Sequence, residues 1–432
     1  METSINLDPL PPSREIPSAF TSSVRSWWHV GEKESAIAEE RLLRRLPFYR
    51  PSTPASSPPS TPVDGPVTAT SSRVQLSNQQ HYLNTVSITS TSPSSTAPPP
   101  AVLLHGYGAG LGFYFQNLPT LANWAALRSS AVYALDWLGM GRSARVPFNV
   151  KAKREDVPGR VAEAESFFVD SLEEWREKMR LNKVTLIGHS LGAYLSVAYA
   201  LKHPTRVDKL ILLSPAGVPR GPNYEEPSRE LTDQGPGVQH PSGSKDGSKE
   251  SSTFHRATKG KVNKIQEEQK ENKQKESKTR RLFTYLWEEG WSPFQVVRST
   301  FFWGPMLIGK YSSRRFTGLT PEETRDMHDY IMNITLAKGS GEYCISHILE
   351  PGAHARMPLV DRIDKLPKDI RVTFVYGDHD WMDPTGGYEA VQRLKKAGNQ
   401  NARMYIVDNA GHHVYLDNKD TVNDLLMQEL ES

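Results

Sequence analysis

Short runs of apolar and β-branched residues recur along much of the chain and indicate buried strands. Six of these runs are AVLLHG, SAVYALDW, KVTLIGHS, VDKLILLSP, RVTFVYGD and ARMYIVDNAGHH. Most are separated by segments in which apolar residues recur every three to four positions, such as AESFFVDSLEEWREKMRL and LGAYLSVAYALKHP. Continuous apolar strands that alternate with amphipathic helices are typical of a mostly parallel sheet covered by helices on both faces. The pattern therefore predicts an α/β fold.

The alternation of predicted strands and helices is interrupted where the amino-acid composition changes. A stretch rich in Ser, Thr and Pro precedes the first runs and predicts a linker, so we expect order to begin near Arg73. A later lysine-rich stretch has too few apolar residues to bury and predicts a disordered insert. An aromatic-rich stretch after it predicts a helical cap. The five predicted parts are an N-terminal membrane-contact segment with its linker (1–72), the first part of the core (73–220), the disordered insert (221–281), the helical cap (282–355) and the second part of the core (356–432).

The charge balance and composition exclude few classes of function. The 52 basic and 49 acidic residues nearly cancel, which gives no indication of nucleic-acid binding. The single cysteine, Cys344, cannot form an internal disulfide. Neither a secretory signal nor an apolar run of membrane-spanning length occurs, so we expect an intracellular protein that crosses no membrane by a helix.

The strongest chemical motif is G-x-S-x-G, which lies at residues 188–192 between a predicted strand and a predicted helix. In that setting the glycines allow a turn tight enough to present Ser190 at the edge of the sheet. The start of the following helix also favours the negative charge that develops during acyl transfer. Ser190 is therefore the predicted nucleophile.

A serine nucleophile needs a histidine base and a carboxylate, and in this fold they follow the serine in the order acid, then base. The acid candidates follow a later strand, at Asp378, Asp380 and Asp383. We expect Asp378 to be a turn residue and favour Asp380 for its G-x-x-D offset, while Asp383 stays open as the alternative. The base is predicted to be His412, which directly follows the turn glycine, while His413 is expected to point to the opposite side of its loop.

An acyl-transfer site also needs N–H donors for the oxyanion. The run HGYGAG at 105–110 ends an early strand with small residues that let backbone N–H groups turn toward the serine. We expect the N–H groups of Leu191 and Tyr107 to form the oxyanion hole, with Gly108 as a substitute for Tyr107. His105 is expected to be structural.

Two features suggest contact with lipid. The predicted cap is crowded with aromatic residues, and an apolar cap over a serine suits a long acyl chain better than a small polar ester. Near the N-terminus, Trp27 and Trp28 precede a helix-like segment that carries arginines. Tryptophans beside cations are typical of an interfacial membrane anchor, although packing against the main domain is an equal alternative.

Five motifs, in chain order, carry a resemblance to a known group of proteins: HGYGAG, DWLGMGRS, GHSLGAYLS, GDHDWMDP and GHHVYLD. They resemble the α/β-hydrolase subfamily of the fungal cardiolipin-specific deacylases. That subfamily also contains the animal lysophospholipase acting on N-acyl phospholipids and a serine-less relative that coactivates triglyceride lipase on lipid droplets. The tryptophan-bearing N-terminal segment resembles the subfamily's membrane-contact segment.

The resemblance implies that Ser190 is the nucleophile and His412 the base, and it leaves the choice between Asp380 and Asp383 open. It also adds an H-x-x-x-x-D box, matched by His412 and Asp417, that is linked in the family to acylation of lysophosphatidic acid. Because Asp417 stands five residues after a candidate triad histidine, we expect it to cap the last helix or to brace the loop.

These observations lead to three hypotheses. The first is a serine hydrolase that removes a fatty acyl chain from a membrane phospholipid, with cardiolipin as the candidate substrate, through an acyl-enzyme. The alternatives are a lysophosphatidic acid acyltransferase that uses acyl-CoA and a non-catalytic lipid-surface regulator of another lipase. We expect a peripheral membrane or lipid-droplet protein that uses no cofactor, metal or nucleic acid. The resemblance implies the mitochondrial inner membrane, with the lipid droplet or endoplasmic reticulum as alternatives.

Overall fold

A central sheet of nine strands organises the protein, as seen in a computed structural model that describes residues 9–51, 65–221, 254–272, 286–287, 289–316 and 318–432. The strands in chain order are β1 (Val67–Gln75), β2 (Tyr82–Ser90), β3 (Ala101–Leu104), β4 (Ala131–Leu135), β5 (Val184–His189), β6 (Val207–Leu213), β7 (Phe254–Arg256), β8 (Arg371–Gly377) and β9 (Arg403–Val407). Their order across the sheet is β1-β2-β4-β3-β5-β6-β8-β9-β7. The pairings β1–β2, β2–β4 and β7–β9 are antiparallel, and the other pairings are parallel. The predicted α/β fold with a mostly parallel sheet is confirmed.

Helices cover both faces of this sheet and form the cap. In chain order the α-helices are α1 (Phe20–Trp28), α2 (Glu32–Leu43), α3 (Leu118–Leu127), α4 (Val157–Lys178), α5 (Leu191–Lys202), α6 (Lys259–Asn272), α7 (Pro293–Ser299), α8 (Gly304–Arg315), α9 (Pro321–Leu336), α10 (Ile345–Ile348), α11 (Pro384–Lys396), α12 (Val414–Asp417) and α13 (Lys419–Glu431). No helix within the described ranges is both long and apolar enough to span a bilayer.

Alternation along the central strands divides the core into two layers. On β3, Val102 and Leu104 point into the layer shared with α4 and α5, whereas Ala101 and Leu103 point into the layer shared with α3 and α13. All four side chains are buried, because a parallel strand at the centre of a sheet is covered on both faces. This arrangement explains why the strands read as continuous apolar runs.

The cap is built from α7, α8, α9 and α10, and the N-terminal helices pack on it. Helix α9 begins as its sequence predicts, with a capping box in which Thr320 Oγ1 accepts from the Glu323 N–H at 3.2 Å and Glu323 Oε2 accepts from the Thr320 N–H at 2.9 Å. Helix α1 packs on α8, and α2 packs on α9. The pair Arg41–Asp329, at 2.9 Å between Nη1 and Oδ2, holds α2 to α9 across nearly three hundred residues of sequence.

Two sequence expectations are wrong. Order in the core begins at Val67 rather than near Arg73, because β1 pairs along its whole length with β2. The predicted disordered insert over 221–281 is contradicted at 254–272, which form β7 and α6. The remainder of the predicted insert, 222–253 and 273–281, lies outside the described residues, apart from residue 221.

The ordered piece of the insert lies along an edge of the sheet. Strand β7 pairs with β9, and α6 packs on α11. Val262 and Ile265 of α6 are buried, and Lys261 Nζ contacts Asp408 Oδ1 at 2.8 Å. Strand pairing, an ion pair and two buried apolar side chains thus hold this segment beside the carboxyl end of β9.

Candidate active site

The candidate nucleophile lies in a sharp turn between β5 and α5. Ser190 has φ 53° and ψ −116°, a backbone conformation that side-chain-bearing residues rarely adopt. Gly188 and Gly192 make the turn possible, because a Cβ on Gly188 would lie 2.6 Å from Ala193 Cα and one on Gly192 would overlap the carbonyl oxygen of Leu104. The predicted strand–turn–helix setting of the G-x-S-x-G motif is present.

Serine, histidine and aspartate meet at the carboxyl ends of β5, β8 and β9. His412 Nε2 lies 3.1 Å from Ser190 Oγ, and His412 Nδ1 lies 3.1 Å from Asp380 Oδ1. Asp380 is buried, and its Oδ1 also accepts from the Met382 N–H at 3.0 Å. This geometry suits proton transfer from the serine to an imidazole whose tautomer a carboxylate fixes.

The two other acid candidates have structural contacts instead. Asp383 caps α11, where its Oδ1 accepts from the backbone N–H and the hydroxyl of Thr385 at 2.9 and 2.7 Å. Gln266 of α6 donates to Asp383 Oδ2 at 3.3 Å. Asp378 Oδ1 accepts from the Ala410 N–H at 3.1 Å and so joins the acid loop to the histidine loop. The geometry therefore favours Asp380 over Asp383 as the partner of His412.

The imidazole rings of His189, His412 and His413 cluster beside Ser190. Burial is the main cause that lowers the pKa of His189 and of His413 well below the usual range, so both rings are neutral at pH 7. His189 donates from Nε2 to the His412 carbonyl oxygen at 2.9 Å. His413 lies against the Phe113 ring and contacts the Tyr415 hydroxyl at 3.2 Å, and its ring centroid is 4.9 Å from that of His189.

The backbone expected to form the oxyanion hole lies directly against the nucleophile. A Cβ on Gly106 would lie 2.9 Å from Ser190 Cβ, so only glycine lets the loop that carries Tyr107 approach so closely. Leu191 begins α5, where backbone N–H groups have no acceptor within the helix. Tyr107 and Gly108 are covered by Phe294 of α7, whose ring stacks on the Tyr107 ring at 5.0 Å. The cap thus closes over this backbone, and the cavity left there is small, about 10 Å³.

His105 supports that loop without facing the serine. The Trp137 N–H donates to its Nε2 at 3.2 Å, so Nδ1 carries the proton and donates to the Gly106 carbonyl oxygen at 2.8 Å. Complete burial lowers the pKa of His105 and keeps the ring neutral. Asp136, also fully buried, accepts from the Leu111 N–H at 2.8 Å and fixes the next part of the loop.

The N-terminal helix α2 contacts the same region through Glu39. Its carboxylate accepts from Asn84 Nδ2 at 2.8 Å and pairs with Arg142 Nη1 at 2.6 Å. Burial raises the pKa of Glu39 to about 7, which the Arg142 guanidinium partly opposes. Asn84 also donates to Asp136, so the N-terminal segment is joined to the loops around the site.

Asp417 contacts two segments with its two carboxylate oxygens. Oδ2 accepts from the Gly411 N–H at 3.0 Å, and Oδ1 pairs with Arg315 Nη1 of the cap helix α8 at 2.8 Å. Asp417 ends α12, and the cap of α13 is Asn418, whose Oδ1 accepts from the Thr421 N–H. Of the two predicted roles for Asp417, the structure gives it loop bracing and assigns helix capping to its neighbour.

The two candidate membrane-contact residues differ in their surroundings. Trp27 packs against Phe302 of the cap at 4.9 Å between ring centroids, whereas Trp28 is 70% exposed. Trp381 is also exposed, with its ring 5.0 Å from the His412 ring. Sequence reasoning assigned no role to Trp381 or His189, and it counted Phe294 only among the aromatic residues of the predicted cap. For His189 the available signal is its place inside the G-x-S-x-G motif.

The fold and the geometry around Ser190 define a class of protein. The chain belongs to the α/β-hydrolase fold family, whose family model matches residues 99–419.

Among curated proteins, the chain is similar to enzymes named for lipid substrates. It is 34% identical over 349 residues to a 1-acylglycerol-3-phosphate O-acyltransferase of Arabidopsis thaliana, covering 79% of this chain and 68% of the relative. It is 28% identical over 366 residues to the (lyso)-N-acylphosphatidylethanolamine lipase of Homo sapiens, covering 83% of this chain and 86% of the relative. It is 29% identical over 330 residues to a 1-acylglycerol-3-phosphate O-acyltransferase of Sus scrofa, covering 75% of each chain. The predicted resemblance to the animal lipase and its relatives is confirmed.

Proposed function

We propose that this protein is a serine hydrolase that removes a fatty acyl chain from a membrane phospholipid through an acyl-enzyme. The observation that carries the proposal is the continuous contact from Ser190 Oγ through the His412 ring to the buried Asp380 carboxylate. Within the α/β-hydrolase family this arrangement supports nucleophilic attack on an ester carbonyl. The aromatic cap and the lipid substrates named for the relatives support a phospholipid substrate.

The proposed reaction has two steps. His412 takes the proton of Ser190 as Oγ bonds to the ester carbonyl carbon, and the N–H groups of Leu191 and Tyr107 hold the resulting oxyanion. Each such donor contributes about 3 kcal/mol to transition-state stabilisation. The ester C–O bond then breaks, and His412 gives its proton to the departing lysophospholipid oxygen. In the second step water attacks the acyl-serine as His412 takes its proton, and His412 then returns a proton to Ser190 Oγ as the fatty acid leaves.

The substrate is tested by offering the purified protein vesicles that contain either cardiolipin or N-acylphosphatidylethanolamine in phosphatidylcholine. Cardiolipin is chosen for the motif resemblance to the fungal deacylases, and the second lipid for the name of the animal relative. We expect mass spectrometry to detect free fatty acid and the matching lysophospholipid in equal amounts from at least one lipid. Absence of acyl release from every vesicle would contradict the proposal.

A second candidate is transfer of the acyl group to lysophosphatidic acid, and the observation in its favour is the acyltransferase name of the plant relative. Both reactions are measured together by adding acyl-CoA and lysophosphatidic acid to the same assay. Phosphatidic acid formed only when acyl-CoA is present would support transfer, while free fatty acid alone would support hydrolysis.

We also propose that the protein works at a membrane surface. Six exposed side chains from α1 and the cap form what we call the aromatic face: Phe20, Trp28, Phe301, Trp303, Leu307 and Tyr311. Phe20 and Trp303 are in contact at 4.7 Å between ring centroids, so α1 and the cap form one continuous surface. Lys310 and Arg314 of α8 are exposed beside it and would attract anionic lipid. Exposed aromatic rings bordered by cations are typical of interfacial binding.

Replacing Trp28 and Trp303 together with alanine is expected to weaken binding to cardiolipin-containing vesicles by about tenfold, because two interfacial rings are lost. Leu127→Ala serves as the matched control, since Leu127 is also an exposed apolar residue, at 68%. It ends α3 near the amino end of β4, whereas the cap lies at the carboxyl ends of the strands. Co-sedimentation with vesicles measures both variants. Equal binding by the double variant and the control would contradict the proposal.

A further inference from the structure

We propose that Asp417 is a positioning residue for His412 and that its ion pair with Arg315 links the histidine loop to the cap helix α8. This inference rests on the proposed function, because it concerns the base of the same site. It assigns Asp417 a role different from that of an acid or base in acyl transfer.

Both oxygens of the Asp417 carboxylate make a contact. One oxygen accepts from the Gly411 N–H at 3.0 Å and the other pairs with Arg315 Nη1 at 2.8 Å. The side chains of Asp417 and Arg315 are 21% and 22% exposed, and both line an open cavity of about 340 Å³ beside Gly411. An ion pair whose second carboxylate oxygen also holds a backbone N–H has a more defined geometry than a pair with a single contact.

The backbone that Asp417 holds lies next to the candidate base. Gly411 precedes His412 directly, and glycine is the residue with the least conformational restriction of its own. The histidine is held at three points: its ring by Asp380, its carbonyl oxygen by His189, and the preceding N–H by Asp417. A displacement of about 1 Å of a catalytic group can lower the rate by about 10²-fold, so the third contact matters for the distance between Nε2 and Ser190 Oγ.

Helix α8 connects this contact to the aromatic face. Arg315 is its last residue, and Tyr311, one turn earlier, belongs to the aromatic face together with Leu307. Residues four apart lie on the same side of a helix, so one side of α8 carries both the membrane-facing tyrosine and the partner of Asp417. A shift of α8 relative to the core therefore acts on the backbone that precedes His412.

The contacts of Asp417 argue against direct chemistry by this residue. Among the hydrogen bonds of the described residues, its carboxylate contacts neither the Ser190 hydroxyl nor the His412 ring. The spacing of the H-x-x-x-x-D box follows from the short helix α12, which returns the carboxylate to the N–H just before the histidine.

The kinetic test uses a soluble short-chain p-nitrophenyl ester, which needs no membrane. Asp417→Ala is expected to lower kcat by about 10- to 100-fold with KM unchanged, because the base is misplaced while the binding surface is intact. Asp417→Asn is expected to recover kcat to within about threefold of the wild type, since its amide oxygen still accepts from Gly411. Wild-type kcat in Asp417→Ala, or equal losses in both variants, would overturn the proposal.

A second measurement depends neither on enzymatic activity nor on whether the Asp417→Ala variant folds. Arg315→Met removes the ion pair, and Arg314→Met, one residue earlier and exposed, is its matched control. Hydrogen–deuterium exchange is expected to be several-fold faster in the peptide that contains Gly411 for Arg315→Met than for Arg314→Met. Equal exchange rates would overturn the link to the cap. Faster exchange in a protein that hydrolyses no ester would preserve the link and reject the proposed function.

Discussion

Replacing Ser190 with alanine is expected to lower kcat for ester hydrolysis by a factor on the order of 10⁴ to 10⁶, because the hydroxyl that would form the acyl-enzyme is lost. The same change is expected to abolish covalent labelling by a fluorophosphonate, which bonds to an activated serine. The fold should be retained, since alanine fits the same turn with one atom fewer. Labelling is measured by mass spectrometry of the intact protein.

A matched control for this prediction lies on the same helix. Ser196 is buried in α5, and its hydroxyl donates only to the Gly192 carbonyl oxygen at 2.7 Å, away from the histidine. Ser196→Ala is therefore expected to keep labelling and to lose no more than about 1 kcal/mol of stability. Labelling that persists in Ser190→Ala would place the nucleophile elsewhere and reject the proposed mechanism.

Replacing Asp380 with asparagine is expected to lower kcat by about 10⁴-fold, because an amide no longer holds the His412 tautomer that accepts the serine proton. The same replacement at Asp383 is expected to leave kcat within about twofold. Asp383 caps α11, and asparagine caps helices as well as aspartate does. The pair of variants is compared by kcat and by melting temperature, which should change little in either.

The comparison decides between the two acids left open by the sequence. A large loss of kcat in Asp383→Asn with a small loss in Asp380→Asn would show that the working geometry differs from the one described. Similar small losses in both variants would mean that His412 does not depend on a carboxylate partner.

The site residues that the sequence predicts well are those marked by neighbouring residues in the chain. The elbow at Ser190 is recognisable because the strand, the two glycines and the helix that create it are adjacent in the chain. The acid was ambiguous because Asp380 and Asp383 follow the same strand, and their roles depend on where the next helix begins. A signal was available, however: Asp383 is followed by Pro384, and an aspartate before a proline is a common start of a helix.

Contacts between distant segments could not be predicted. The pairing of Arg315 with Asp417 joins residues 102 positions apart, and the packing of α2 on α9 joins segments almost three hundred apart. Neither leaves a periodic pattern in the sequence. The ordered part of the insert is missed for a different reason. Its composition is dominated by lysine and other polar residues, which predicts disorder, although Val262 and Ile265 are buried.

The short strand β7 has a consequence for handling the protein. It covers one edge of the sheet, where β9 would otherwise offer unpaired backbone N–H and C=O groups to neighbouring molecules. Lysine-rich insertions are common targets for deletion when a chain is shortened for crystallisation. Removing residues 254–272 would expose that edge and invite strand-to-strand association between molecules, so solubility depends on a segment whose composition alone suggests that it can be discarded.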